Sequence, residues 1–117
     1  MRNEQTVALL YGEPADYKSP CAVGKDELVW LGDKAGVTCA AIAAGATGKV
    51  YVRGPFFEFG DIGVEVPEGA CVFYDFARRR FVPADTPGAH CIGTADLSCF
   101  TNDGFLAFTL NGTPQRR

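Results

Sequence analysis

The sequence predicts an all-β fold, a small β-barrel or β-sandwich of about eight short strands with an extended N-terminal arm. Three observations carry this expectation. The apolar runs are short, as in LVWL at Leu28–Leu31, VYV at Val50–Val52 and FLAFTL at Phe105–Leu110. The 14 glycines and 7 prolines fall largely between such runs, where they supply turn geometry at little cost. Where a run is long enough to show a period, the period is two: Val50 and Val52 face one way and Lys49, Tyr51 and Arg53 the other, and Leu106, Phe108 and Leu110 share a face.

The stretch Leu28 to Phe59 organises the rest. Its apolar runs LVWL, GVTCAAIA, VYV and FFEF are separated by Gly32-Asp33-Lys34-Ala35-Gly36, Gly45-Ala46-Thr47-Gly48 and Gly54-Pro55. This order reads as a β-meander to which the other strands are added. The continuously apolar run around Trp30, the single tryptophan, suggests a strand covered on both sides with Trp30 as core anchor. Ala40 to Ala44 has helical propensity but is closed by Gly45 and Gly48, so it reads as a strand end and a turn. Upstream, Thr6 to Tyr11 is a short strand or arm, broken by Gly12 to Asp16, and Tyr17 to Val23 is extended with Pro20 at an edge. Downstream come a brief strand at Val64 to Val66, a strong one at Ala70 to Phe76, an arginine turn and a return at Phe81-Val82. Ala89 to Ala95 and Phe105 to Leu110 follow as strands, with a hairpin-type turn at Thr101 to Gly104 between them. The layout around Phe73 resembles that around Trp30 (turn, apolar strand, charged turn, short return) and suggests an internal repeat.

The 117 residues suit one domain. It divides into an arm or edge segment at 1–20, a β domain at 21–112 and a polar tail at 113–117. The net charge of −3 gives no electrostatic case for nucleic acid, and no apolar run approaches the length of a membrane span. The first residues lack the pattern of a signal peptide, so the protein is expected to be made and kept in a cytoplasm. Five cysteines at 21, 39, 71, 91 and 99 include no C-x-x-C pair, so they are expected to be free thiols, mostly buried as small hydrophobes.

Four groups of residues carry side chains that could do chemistry. Ala43 to Val50, AAGATGKV, imitates a phosphate-binding loop. Its first position is alanine, its last is Val50, which cannot ligate a metal, and a strand follows where a helix N-terminus is needed. His90 and Cys91 are adjacent in a strand, so their side chains point to opposite faces and cannot form a nucleophile pair. Glu58, Asp61 and Glu65 gather near the aromatic run and read as a solvated loop face. Arg78, Arg79 and Arg80 form the basic cluster, at a hairpin tip, and either sit in solvent or bind an acidic surface. No catalytic, cofactor or metal residue is expected. The alternative is a small β-barrel enzyme or ligand-binding domain using Glu58, Asp61 and His90; a nucleic-acid-binding barrel acting through Arg78 to Arg80 is disfavoured by the acidic charge.

The ordered set Leu28–Phe59, IGVEVPEGACVFYD, CIGTADL and FLAFTLNG resembles a family of small tailed-phage and prophage proteins, capsid decoration or cement proteins, over about residues 20 to 112. Members of that family have also carried the label of a RecA-like recombinase, which a β-meander without a phosphate loop cannot be. Phe76 and the arginine run beyond it depart from the family pattern. The resemblance implies a virion protein on the outer capsid surface whose partners are the major capsid protein and further copies of itself, a trimer being favoured over a dimer. The expected partner-binding residues are Thr6, Val7, Leu9 and Tyr11 in the arm, Phe56, Phe57 and Phe59 in the aromatic run, and Arg78, Arg79 and Arg80.

Overall fold

The computed structural model describes residues 10–59, 62–99 and 104–111. The all-β expectation holds: these residues contain nine strands in two sheets, against the eight or so expected. In chain order they are β1 (Ala15–Lys18), β2 (Leu28–Trp30), β3 (Ala35–Thr38), β4 (Thr47–Tyr51), β5 (Gly54–Phe59), β6 (Cys71–Asp75), β7 (Arg80–Val82), β8 (His90–Ala95) and β9 (Phe105–Leu110). The sheets run β1-β4-β3-β2 and β5-β9-β8-β6-β7. The chain divides into two compact units at Gly54/Pro55.

The meander β2-β3-β4 is present, but β5 does not continue it. Gly54 has φ +110°, and a Cβ there would stand only 2.7 Å from the carbonyl oxygen of Leu10, so the chain leaves the first sheet at a residue that must be glycine. The meander therefore stops at β4, and the later strands form a second sheet rather than adding to it. Trp30 is half-buried rather than a core anchor. In the three-residue edge strand β2 only Val29, at the middle, turns fully inward.

The two units are built on one plan. Val23 bridges Ile42, and Val66 bridges Cys99. Three residues after each valine, Asp26 and Gly69 take positive φ values of 62° and 83°. Their N–H groups donate to the carbonyls of Thr38 and Ala95, at 3.0 and 2.8 Å. Leu28 pairs with Val37 and Val29 with Gly36; Cys71 pairs with Thr94 and Val72 with Gly93. Thr38 opposes Val50, and Ala95 opposes Phe108. Strands β1, β2, β3 and β4 thus correspond to β5, β6, β8 and β9. The repeat suggested around Trp30 and Phe73 is structural, and β7 is the strand the second copy adds, paired antiparallel to β6.

Each copy fills the same core position differently. In the first, Val23, Val29, Ile42 and Val50 form the centre, with Tyr17, Leu31 and Val52 against it. Ile42 lies over Gly48, where a Cβ would stand 2.5 Å from its Cγ1. In the second, the equivalent positions are Cys99 and Leu106, both buried. The larger residue thus lies on the bridging segment in the first copy and on the strand in the second. Gly48→Ala is expected to destabilise the protein by about 1–3 kcal/mol. Adding Ile42→Ala should then cost less than it does alone, leaving a favourable coupling of about 1 kcal/mol in a urea-denaturation cycle. Strict additivity would show that the two residues do not compete for that space.

Candidate functional site: an exposed aromatic face and an arginine turn

Strand β5 alternates, and its two faces differ sharply. Phe56 is half-buried and its ring lies 6.2 Å from that of Phe108, which is 2% exposed. Phe57 and Phe59 point the other way and are 61% and 73% exposed. Their rings stack at 6.3 Å, and Phe59 lies 6.2 Å from Phe105, itself 39% exposed. Three phenylalanines therefore form one continuous apolar surface on an edge strand and its neighbour. Glu58, between Phe57 and Phe59, is exposed, yet partial burial of its carboxyl pushes its pKa above the ordinary carboxylate value.

Arg78 and Arg79 stand on the turn between β6 and β7, and Arg80 opens β7 opposite Asp75. The turn is held from below by Asp75, 7% exposed, whose Oδ1 accepts the N–H groups of Ala77 and Arg78 at 3.0 and 3.1 Å. Arg79 takes a left-handed φ of 58°. Arg78 Nε lies 3.8 Å from Asp75 Oδ2, and all three arginines are exposed. Arg80 also lines an open hollow of about 360 Å³ formed by residues 62–64 and 80–83, whose surface is polar and apolar in similar shares. The hairpin offers cationic groups beside a hollow of mixed polarity, a combination that suits an acidic or mixed protein surface.

Of the other residues singled out by sequence, Thr6, Val7, Leu9 and Asp61 lie outside the described residues. Tyr11 is half-buried, with its ring 5.1 Å from that of Tyr51. His90 is exposed on β8, its ring 6.1 Å from that of Phe76. Glu58 and His90 belong to β5 and β8, between which β9 runs. Among the described residues no group of three or more His, Cys, Asp or Glu side chains could hold a metal ion. Phe105 was missed by the sequence reading because its sheet position, not its neighbours in the chain, brings it beside Phe59.

All five cysteines are free, but the expectation that most are buried is corrected: Cys99 is buried, Cys39, Cys71 and Cys91 are half-buried and Cys21 is exposed. Burial, together with a hydrogen bond to Cys91, pushes the Cys71 thiol up to about 11, and burial also raises Cys39. The thiolate is the reactive form, so a thiol reagent at pH 8 is expected to modify Cys21 first and Cys99 only after unfolding. Mass spectrometry of timed samples checks the order; early modification of Cys99 would show that its environment opens in the native state.

The β framework described above extends from β1 to β9, and a family model described as phage cement protein matches residues 12–109, nearly all of it. The chain belongs to the phage cement protein family. No curated protein and no solved structure matches it. Membership assigns this protein a phage capsid cement role and makes it a capsid-associated virion component. The match runs through both copies of the repeat, β7 included.

Proposed function

We propose that this cement protein binds the outer surface of the assembled head, against the major capsid protein, and stabilises the shell as a structural component without enzymatic activity. The match of the family model through both units supports this reading most directly. The contacts are assigned to Tyr11 with the preceding Thr6, Val7 and Leu9, and to the turn carrying Arg78, Arg79 and Arg80. It is made in the host cytoplasm and acts as an oligomer, a trimer in preference to a dimer, whose symmetry matches a local axis of the shell.

The physics of such binding favours assembled shells over free subunits. A single patch on a 12.5 kDa protein holds a free subunit modestly, because association costs several kcal/mol of lost freedom. On a shell, an oligomer meets neighbouring subunits at once, and the later contacts gain on the order of 10² in affinity from effective concentration. Binding only to the assembled state also shifts the equilibrium towards it. Co-sedimentation should therefore show saturable binding to mature shells at a fixed copy ratio and weak binding to dissociated subunits, with decorated shells more resistant to heat. Equal affinity for both, or unchanged shell stability at saturation, would reject the reading.

A further inference from the structure

The internal repeat supplies a control for the aromatic face. Ala15 pairs with Val50 and Lys18 with Thr47 in the first unit. In the second, Phe56 packs on Phe108 and Phe59 on Phe105, the residues equivalent to Val50 and Thr47. The outward positions therefore correspond as Asp16 to Phe57, Lys18 to Phe59 and Thr47 to Phe105. In the first unit all three are exposed and polar, and Asp16 forms an ion pair of 2.5 Å with Lys49. One strand geometry thus accepts polar residues here, and the three phenylalanines are not a requirement of the fold.

We infer that Phe57, Phe59 and Phe105 form the contact through which this protein binds a second copy of itself. The three rings expose roughly 350 Å² per copy, taking about 200 Å² for a whole phenylalanine. An apolar patch of that size is comparable to the largest on a typical monomer, which is often functional. It is about two-fifths of the roughly 800 Å² each partner contributes to a standard interface, enough for its apolar centre. Its flank on the same sheet is polar: Thr109 donates to Asp96 Oδ1 at 2.8 Å, as a rim should. The uncharged character of the patch decides between occupants. Permanent interfaces between identical chains are the apolar ones. A sibling copy is present from synthesis onward and can cover the rings at once, whereas a shell is met only after assembly. The charged turn at Arg78 to Arg80 is the better match for that later, non-obligate contact.

This inference names the self-contact used in the decoration reading, and the two fail separately. The test replaces the rings by the residues their equivalents carry: Phe57→Asp, Phe59→Lys and Phe105→Thr together. Sedimentation velocity over a micromolar concentration series should show the wild-type protein as an oligomer and the triple variant as a 12.5 kDa monomer, with self-association weakened at least about 100-fold and cooperative melting retained. Phe57→Asp and Phe59→Lys alone, each on an exposed ring, give the same readout should the triple variant melt without cooperativity. A wild-type protein that stays monomeric overturns the inference, as does a folded variant that stays oligomeric. If that oligomeric variant also loses shell binding, the patch belongs to the capsid contact. A wild-type oligomer that the variant dissociates, but that binds no shells, would uphold this inference and reject the decoration reading alone.

Discussion

Gly93→Ala is expected to destabilise the protein by at least about 3 kcal/mol. Gly93 lies on β8 opposite Leu110 of β9. A Cβ there would stand 2.1 Å from the carbonyl oxygen of Thr109 and 2.9 Å from its carbon. Both are backbone atoms of the paired strand, so no side chain can turn aside to make room. Relief requires moving β9, which carries Leu106, Phe108 and Leu110, all buried. The equivalent Gly36 provides the contrast. Its Cβ would meet only side-chain atoms, Leu31 Cδ1 and Val50 Cγ2 at 3.0 Å and Val50 Cβ at 3.2 Å, a crowding that shifts of a few tenths of an ångström relieve. Gly36→Ala should therefore cost clearly less. Urea unfolding of both variants checks this, and a melting-temperature loss on the order of 10 °C is expected for Gly93→Ala. Equal effects at the two glycines would mean that the β8–β9 ladder yields more easily than its geometry indicates.

Thr38→Val is expected to destabilise by about 2 kcal/mol, and Thr38→Ala by about 1 kcal/mol less, although valine is the closer match in shape. Thr38 is 1% exposed. Its hydroxyl donates to the carbonyl of Gly24 at 2.6 Å and accepts the N–H of Glu27 at 2.9 Å. Valine keeps the volume and removes both bonds, leaving a buried donor and acceptor apart. In the second unit the equivalent residue is Ala95, and there the N–H of Ala70 donates directly to the carbonyl of Pro67 at 3.0 Å. The small side chain lets the turn close on itself. Thr38→Ala can adopt that arrangement, and Thr38→Val cannot because its methyls occupy the gap. A larger loss for alanine than for valine in denaturant titrations would show that the first turn is unable to close as the second does.

Alternation and turn chemistry are local, and so the sequence alone determined the all-β class and most strands. The run FLAFTL was read as the strand Phe105–Leu110 with Leu106, Phe108 and Leu110 on one face; the strand is there, and that face is the buried one. The hairpin around Arg78 to Arg80 was equally legible, because ACVFYDF and the return at Phe81-Val82 flank a charged turn. Even the repeat left a trace, in the matching layouts around Trp30 and Phe73. The equivalence of the two units was not legible residue by residue, because the larger core residue changes position: Ile42 over Gly48 in one unit becomes Cys99 with Leu106 in the other. The candidate site was legible only in part. FFEF announced an aromatic run, but a period of two sends Phe56 inward beside Phe108 and leaves Phe57 and Phe59 outside, and a single residue of register reverses that choice. Phe105 joins them from 46 positions further on (59 against 105) because β9 pairs with β5, a long-range pairing that only the assembled sheet decides.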